Sequence, residues 1–179
     1  MKRILIALAV LLAVQVADAQ VKSPEAAKKA VLAAEEASQN PKKNTKVATW
    51  LKLATSYMDA YDAPVGNVLV NSPRVQLQMM MGNEKPVAVE EVVVDGMPFK
   101  KEVYANKNLY FDGTDVLRIV EVTVPVFEDP LAGALAAYVK AAELDVKGSK
   151  TADIKAGMKM AAARYFDEGM TKYNLGKVA

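Results

Sequence analysis

The chain has 179 residues, 52% hydrophobic and 25% charged, enough for one or two domains with a real core. Lys and Arg number 23 against 21 Asp and Glu, and a net charge of +2 offers nucleic acid no concentrated basic face. With neither Cys nor His, the chain can form no disulfide, thiolate nucleophile, imidazole base or usual zinc site.

The opening MKRILIALAVLLAVQVADAQ sets Lys2 and Arg3 before an apolar run, Ile4 to Val14, closed by Ala17-Asp18-Ala19. That is the layout of a secretory signal peptide cut after Ala19. The run falls well short of the ~20 residues that cross a bilayer, which disfavours the alternative of a membrane anchor. No Cys follows the cut, so the common lipoprotein attachment is absent too. The expected mature chain is periplasmic or secreted, with no stable membrane insertion.

Ser23-Pro24-Glu25 reads as a cap and first turn, and Ala27, Ala30, Ala34 and Ala37 give the following helix a small-residue face. Asn40-Pro41 stops it. A second helix carries Trp50, Leu53, Ala54 and Tyr57 at packing positions and ends at Asp62-Ala63-Pro64. Helical register sets Lys52, Thr55, Ser56 and Asp59 on its polar side, where they would line a partner-binding groove.

From Val65 to Asp129 the texture changes. Ser72-Pro73 opens a short helix through RVQLQMMM that ends at Gly82-Asn83, with Pro86 beyond. Runs rich in Val, Ile, Tyr and Phe follow at 87–94, 99–105, 109–111 and 116–126, separated by Asp95-Gly96, Asn106-Lys107-Asn108 and Asp112-Gly113. These predict a small antiparallel meander whose last strand ends at Pro125 or lies at an edge. Met79, Met80, Met81 and Met97 suit core filling between the short helix and the sheet better than an adaptable contact surface. The carboxylates at Glu90-Glu91, Asp112/Asp115 and Glu128-Asp129 show no spacing that a paired-carboxylate hydrolase demands. Asp112-Gly113-Thr114-Asp115 lacks the 12-residue loop of a calcium site, which favours a plain turn. No catalytic residue, cofactor or metal is expected.

Helical periodicity returns with Ala134, Tyr138 and Ala141 in PLAGALAAYVKAAEL. After Val146–Lys150, with Ser149 or Thr151 as cap, a last helix carries Tyr165, Gly169, Tyr173 and Gly176.

Trp50, Leu53, Ala54 and Tyr57 have the spacing of a first tetratricopeptide-repeat helix, and Ala134, Tyr138 and Ala141 that of a second. Tyr165, Gly169, Tyr173 and Gly176 resemble another first helix. Ala30, Ala34, Ala37 and Pro41 resemble another second one, with Ala34 in place of the usual aromatic. The chain thus resembles the amino-terminal part of exported tetratricopeptide-repeat proteins of the Bacteroidetes lineage. Its middle segment resembles one found in such proteins, around MGNEKP, KEVYANKNLYF and IVEVT. The resemblance implies a mainly α fold, a superhelix of repeats interrupted by a small α+β insertion with an antiparallel meander. The expected division is a leader (1–19), repeat helices (20–61), the insertion (62–129) and further repeat helices (130–179). It also implies that the helix of Trp50 packs on that of Ala134 and Tyr138. Gly176-Lys177 then reads as a turn within a longer array, with apolar positions among Tyr165, Phe166, Met170, Tyr173 and Leu175 awaiting a partner helix. The implied function is a non-enzymatic periplasmic scaffold for a protein or peptide partner. The alternative is a cell-envelope ligand-binding module acting through residues 62–129.

Overall fold

The computed structural model describes residues 21–176. The expected leader at 1–19 lies outside them, as does Lys177 of the closing turn. Helix α1, Pro24–Gln39, begins as the sequence dictates: the Ser23 hydroxyl oxygen accepts from Ala26 N at 3.2 Å, with Pro24 in the first turn. It buries its small face, Ala27, Val31 and Ala34. Helix α2, Val47–Asp62, packs Ala60 and the half-buried Tyr57 against that face. Trp50 donates from Nε1 to the Asn44 carbonyl at 2.7 Å and ties α2 to the turn before it.

An adjoining face of α2, with Leu53, Ala54 and Met58, meets Leu131, Ala134, Ala137, Tyr138 and Ala141 of a helix far along the chain, Pro130–Leu144. The expected contact between the Trp50 helix and the Ala134/Tyr138 helix is therefore present. Numbering in chain order, with α3 at Arg74–Met81, this helix is α4, and α5 spans Thr151–Asn174. Helix α5 docks on α4 through Ile154, Gly157 and Ala161. Two aromatics fit into glycine notches along this stack. A Cβ at Gly133 would lie 2.8 Å from Tyr57 Cζ, and one at Gly157 would lie 2.2 Å from Tyr138 Cζ.

Strands β1 (Ala88–Val94), β2 (Met97–Val103), β3 (Lys107–Phe111) and β4 (Leu117–Val122) form one antiparallel sheet in the order β1-β2-β3-β4. Asp95 and Gly96 both take positive φ, +49° and +75°, as a two-residue hairpin turn requires. The Asp112 carboxylate accepts from Thr114 N, Val116 N and Arg118 Nε. Its bonds to the Thr114 hydroxyl and the Arg118 guanidinium hold it well below the usual carboxylate range. Its oxygens thus serve the turn itself.

All five residues of β3 are buried, because the sheet is covered on both sides. On one face Leu109, Phe111, Leu117 and Tyr104 pack with Val68 and with Leu77 of α3. On the other Phe99, Tyr110 and Ile119 meet Val92, Val94 and Leu175, the residue that caps α5. Of the methionines expected in this core, Met81 packs against it, whereas Met79 and Met97 face outward.

The expected fold class is overturned. Helix takes 51% and strand 17% of the described residues, five helices with a four-stranded antiparallel sheet, which is an α+β fold and not a mainly α repeat superhelix. The physical reason lies in β3: its alternate residues need cover on both faces, and α5 supplies part of it. The sheet is a layer of the structure with cores of its own.

Candidate functional site

The four residues expected to line a groove on α2 do not share one surface. Lys52 and Thr55 are exposed, with the Thr55 hydroxyl donating to the Lys52 carbonyl at 3.0 Å. Asp59, half-buried, is engaged by Lys22 Nζ at 2.5 Å. Ser56 is 0% exposed, and its Oγ has no hydrogen-bond partner among the described residues. Its place in the groove is therefore corrected: α2 has α1 on one face and α4 on the adjoining one, and the buried stripe 53, 54, 56, 58 and 60 leaves only a narrow strip outside.

A larger surface lies on α5. Its inner side is held at several points: Arg164 Nε stands 3.2 Å from Asp62 Oδ1, and the Tyr61 hydroxyl donates to the Arg164 carbonyl at 3.4 Å. The Tyr165 hydroxyl donates at 2.9 Å to Asp129, the residue that caps α4 by accepting from Ala132 N. Burial, then the charge of Glu168, pushes the Tyr61 hydroxyl up to about 12. Burial raises the Asp62 carboxyl although Arg164 pulls it down. Flanking this fixed side, Ala162, Phe166, Gly169, Met170 and Tyr173 follow one another at helical spacing, with Phe166 68% and Tyr173 69% exposed. A Cβ at Gly169 would meet nothing within 4 Å, so the stripe has a shallow notch at its centre. Of the five apolar positions expected to await a partner, Phe166, Met170 and Tyr173 are open, Tyr165 is tied to Asp129, and Leu175 is packed on the sheet.

Between α3 and the sheet sits a charged cluster that the sequence did not reveal. Arg74 lies 4.1 Å over the Phe111 ring, donates from Nε to Asp115 Oδ1 at 2.7 Å and pairs through Nη1 with Glu102. Glu102 also accepts from the Tyr104 hydroxyl at 2.8 Å. Lys107, buried beside the Tyr104 ring, reaches Glu84 at 2.8 Å. Burial, and then the charge of Glu84, raises the Tyr104 hydroxyl against the opposing pull of Arg74. Two cations are answered by three carboxylates. The arrangement clamps α3 onto the sheet and leaves no surplus positive charge for an anionic ligand.

A further exposed apolar surface lies along β1, with Val87 just before the strand and Val89 and Val93 within it. The Val-rich run VAVEEVVV, bounded by Asp95-Gly96, announced a strand there, but only the sheet order makes it an edge. No protein-family model, curated protein or solved structure matches this chain.

Proposed function

We propose that the protein is a non-enzymatic interaction module of the cell envelope, exported to the periplasm, which presents the outer face of α5 to a helix of a protein or peptide partner. One observation carries this reading: the apolar stripe of Phe166, Gly169, Met170 and Tyr173 is exposed beside the packed side of the same helix. Single exposed apolar residues are ordinary, whereas aromatics and a methionine clustered at helical spacing form a contact surface. Gly169 lets a second helix backbone come close. The leader-like residues 1–19 support export. The alternative, an envelope ligand held by residues 62–129, draws its support from the open edge of β1.

Site-specific photocrosslinking in the native envelope tests the proposal. A photoreactive side chain in place of Phe166 or Tyr173 should capture a discrete partner. The same group in place of Lys52, Thr55 or Val93 should not. Adding Met170→Ser to the Phe166 probe should weaken its capture. Crosslinks confined to α2 or to the sheet would refute the assignment of α5.

A further inference from the structure

The geometry points to β1 as the acceptor for an extended, basic segment of another polypeptide, added antiparallel as a fifth strand.

The two edges of the sheet differ. At the β4 edge the chain covers the start of the strand: Asn71 N donates to the Leu117 carbonyl at 2.8 Å, Leu117 N donates to the Ser72 carbonyl at 3.0 Å, and Pro73 bridges Val116. Beyond β1, among the described residues, no backbone group bonds to the outer edge. Natural edge strands are usually shortened, bulged, covered or broken by Pro. Strand β1 is seven residues long, lacks Pro, and pairs with β2 in continuous register. Val89, Glu91 and Val93 share one face, with Val89 51% and Val93 73% exposed.

Strand β2 displays the side chains that β1 accepts on its inner side. Phe99 stands opposite Val92, Lys100 opposite Glu91 and Lys101 opposite Glu90. Only Glu90 forms an ion pair there, with Lys101 at 3.0 Å, and Glu91 has none among the described residues. A strand arriving on the outer side faces the same three positions of β1. Its best complement is an apolar residue followed by two basic ones, so that Glu91 gains the cation it lacks. A second copy of this chain is a poor occupant. The two-fold register that sets Val89 against Val93 also sets Glu91 against Glu91, and like charges directly opposite repel. Main-chain bonds would supply affinity and the paired charges specificity. This surface is separate from the α5 stripe.

The test uses residues 20–179 and two capped heptapeptides, Thr-Phe-Lys-Lys-Thr-Val-Thr and its counterpart with Glu-Glu in place of Lys-Lys. Backbone amide spectra and hydrogen exchange are followed during titration. The Lys peptide should bind with new protection confined to residues 88–94, and the Glu peptide should bind roughly tenfold more weakly. Glu91→Lys should cancel most of that preference. If that variant does not fold, Glu91→Gln should weaken the Lys peptide by about threefold. Phe166→Ser with Tyr173→Ser should change nothing, which separates this site from α5. Equal binding of both peptides, protection elsewhere, or no binding would overturn the proposal. In the last case the glutamates only guard the edge.

Discussion

Replacing Gly157 with Ala tests the way α4 and α5 are joined. The added Cβ would lie 2.2 Å from Tyr138 Cζ and 2.4 Å from Cε1 and Oη, where carbon atoms prefer about 3.5–4.0 Å. The Tyr138 ring would have to withdraw by more than about 1 Å, and it is only 4% exposed among Ala134, Ala137, Ala141 and Ile154. Overpacking of this kind costs about 1–3 kcal/mol, against a helix-propensity gain of up to about 1 kcal/mol. The net expectation is a loss of roughly 1–2 kcal/mol and, at this chain length, a fall in Tm of roughly 2–8 °C. Gly169→Ala is the internal control, since it lies in the same helix with nothing within 4 Å of its Cβ. That variant should gain up to about 1 kcal/mol. Urea and thermal unfolding of both, together with Gly157→Ala in a Tyr138→Leu background, complete a double-mutant cycle in which the two changes should offset each other. If Gly157→Ala raises Tm as Gly169→Ala does, the notch reasoning fails.

Ser56→Ala removes a buried hydroxyl that lacks a partner and should leave stability unchanged or raise it by about 1 kcal/mol in urea unfolding. A clear loss would reveal a bond that the reasoning omits. Arg74→Met leaves Glu102 buried without its cation and should cost about 3 kcal/mol, whereas Glu102→Gln should cost less; equal small losses would discount the clamp. Burial, aided by the bond to Glu35, pushes the Tyr57 hydroxyl from 10.0 up to about 12. The unfolded chain therefore releases this proton first, so stability that is complete below pH 10 should fall as pH rises towards 12. Thermal melts read beside phenolate absorbance check this, and a flat profile across that window would contradict it.

Much of the local structure was legible because its chemistry is local. Ser23-Pro24 starts a helix, Asp95-Gly96 turns a hairpin, and Asp112 organises the four residues that follow it. The pairing of the Trp50 and Ala134 helices could also be read, from two complementary packing motifs far apart in the chain. What failed depends on contacts that no local pattern carries. Ser56 is buried because α2 has neighbours on two sides, and register on one helix cannot say how many sides are taken. Arg74, Glu102 and Asp115 meet across separations of 28 and 41 positions, with only ordinary surface charges to announce them. The balance of the fold was misjudged for the same reason, since the sheet becomes a structural layer only when Leu77 and Leu175 close its two faces.

Leu175 also explains why the α5 stripe faces outward. The 24-residue helix is pinned to α4 by Gly157 against Tyr138, to the end of α2 by Arg164 and Asp62, and to the sheet by its capping leucine. Turning Phe166 and Tyr173 inward would break all three, so their exposure follows from contacts made elsewhere on the helix. Each aromatic can bury about 150–250 Å², and at roughly 25 cal/mol per Å² the two leave on the order of 5 kcal/mol of burial unrealised. Micromolar binding requires about 8 kcal/mol after the costs of association. Two copies meeting face to face would bury the stripe twice, on the order of 10 kcal/mol before association costs of about 4–15 kcal/mol, so the stripe alone supports only weak self-association. A partner that binds tightly must add contacts beyond it, within reach of the exposed Lys159 and Asp167 on the same helix.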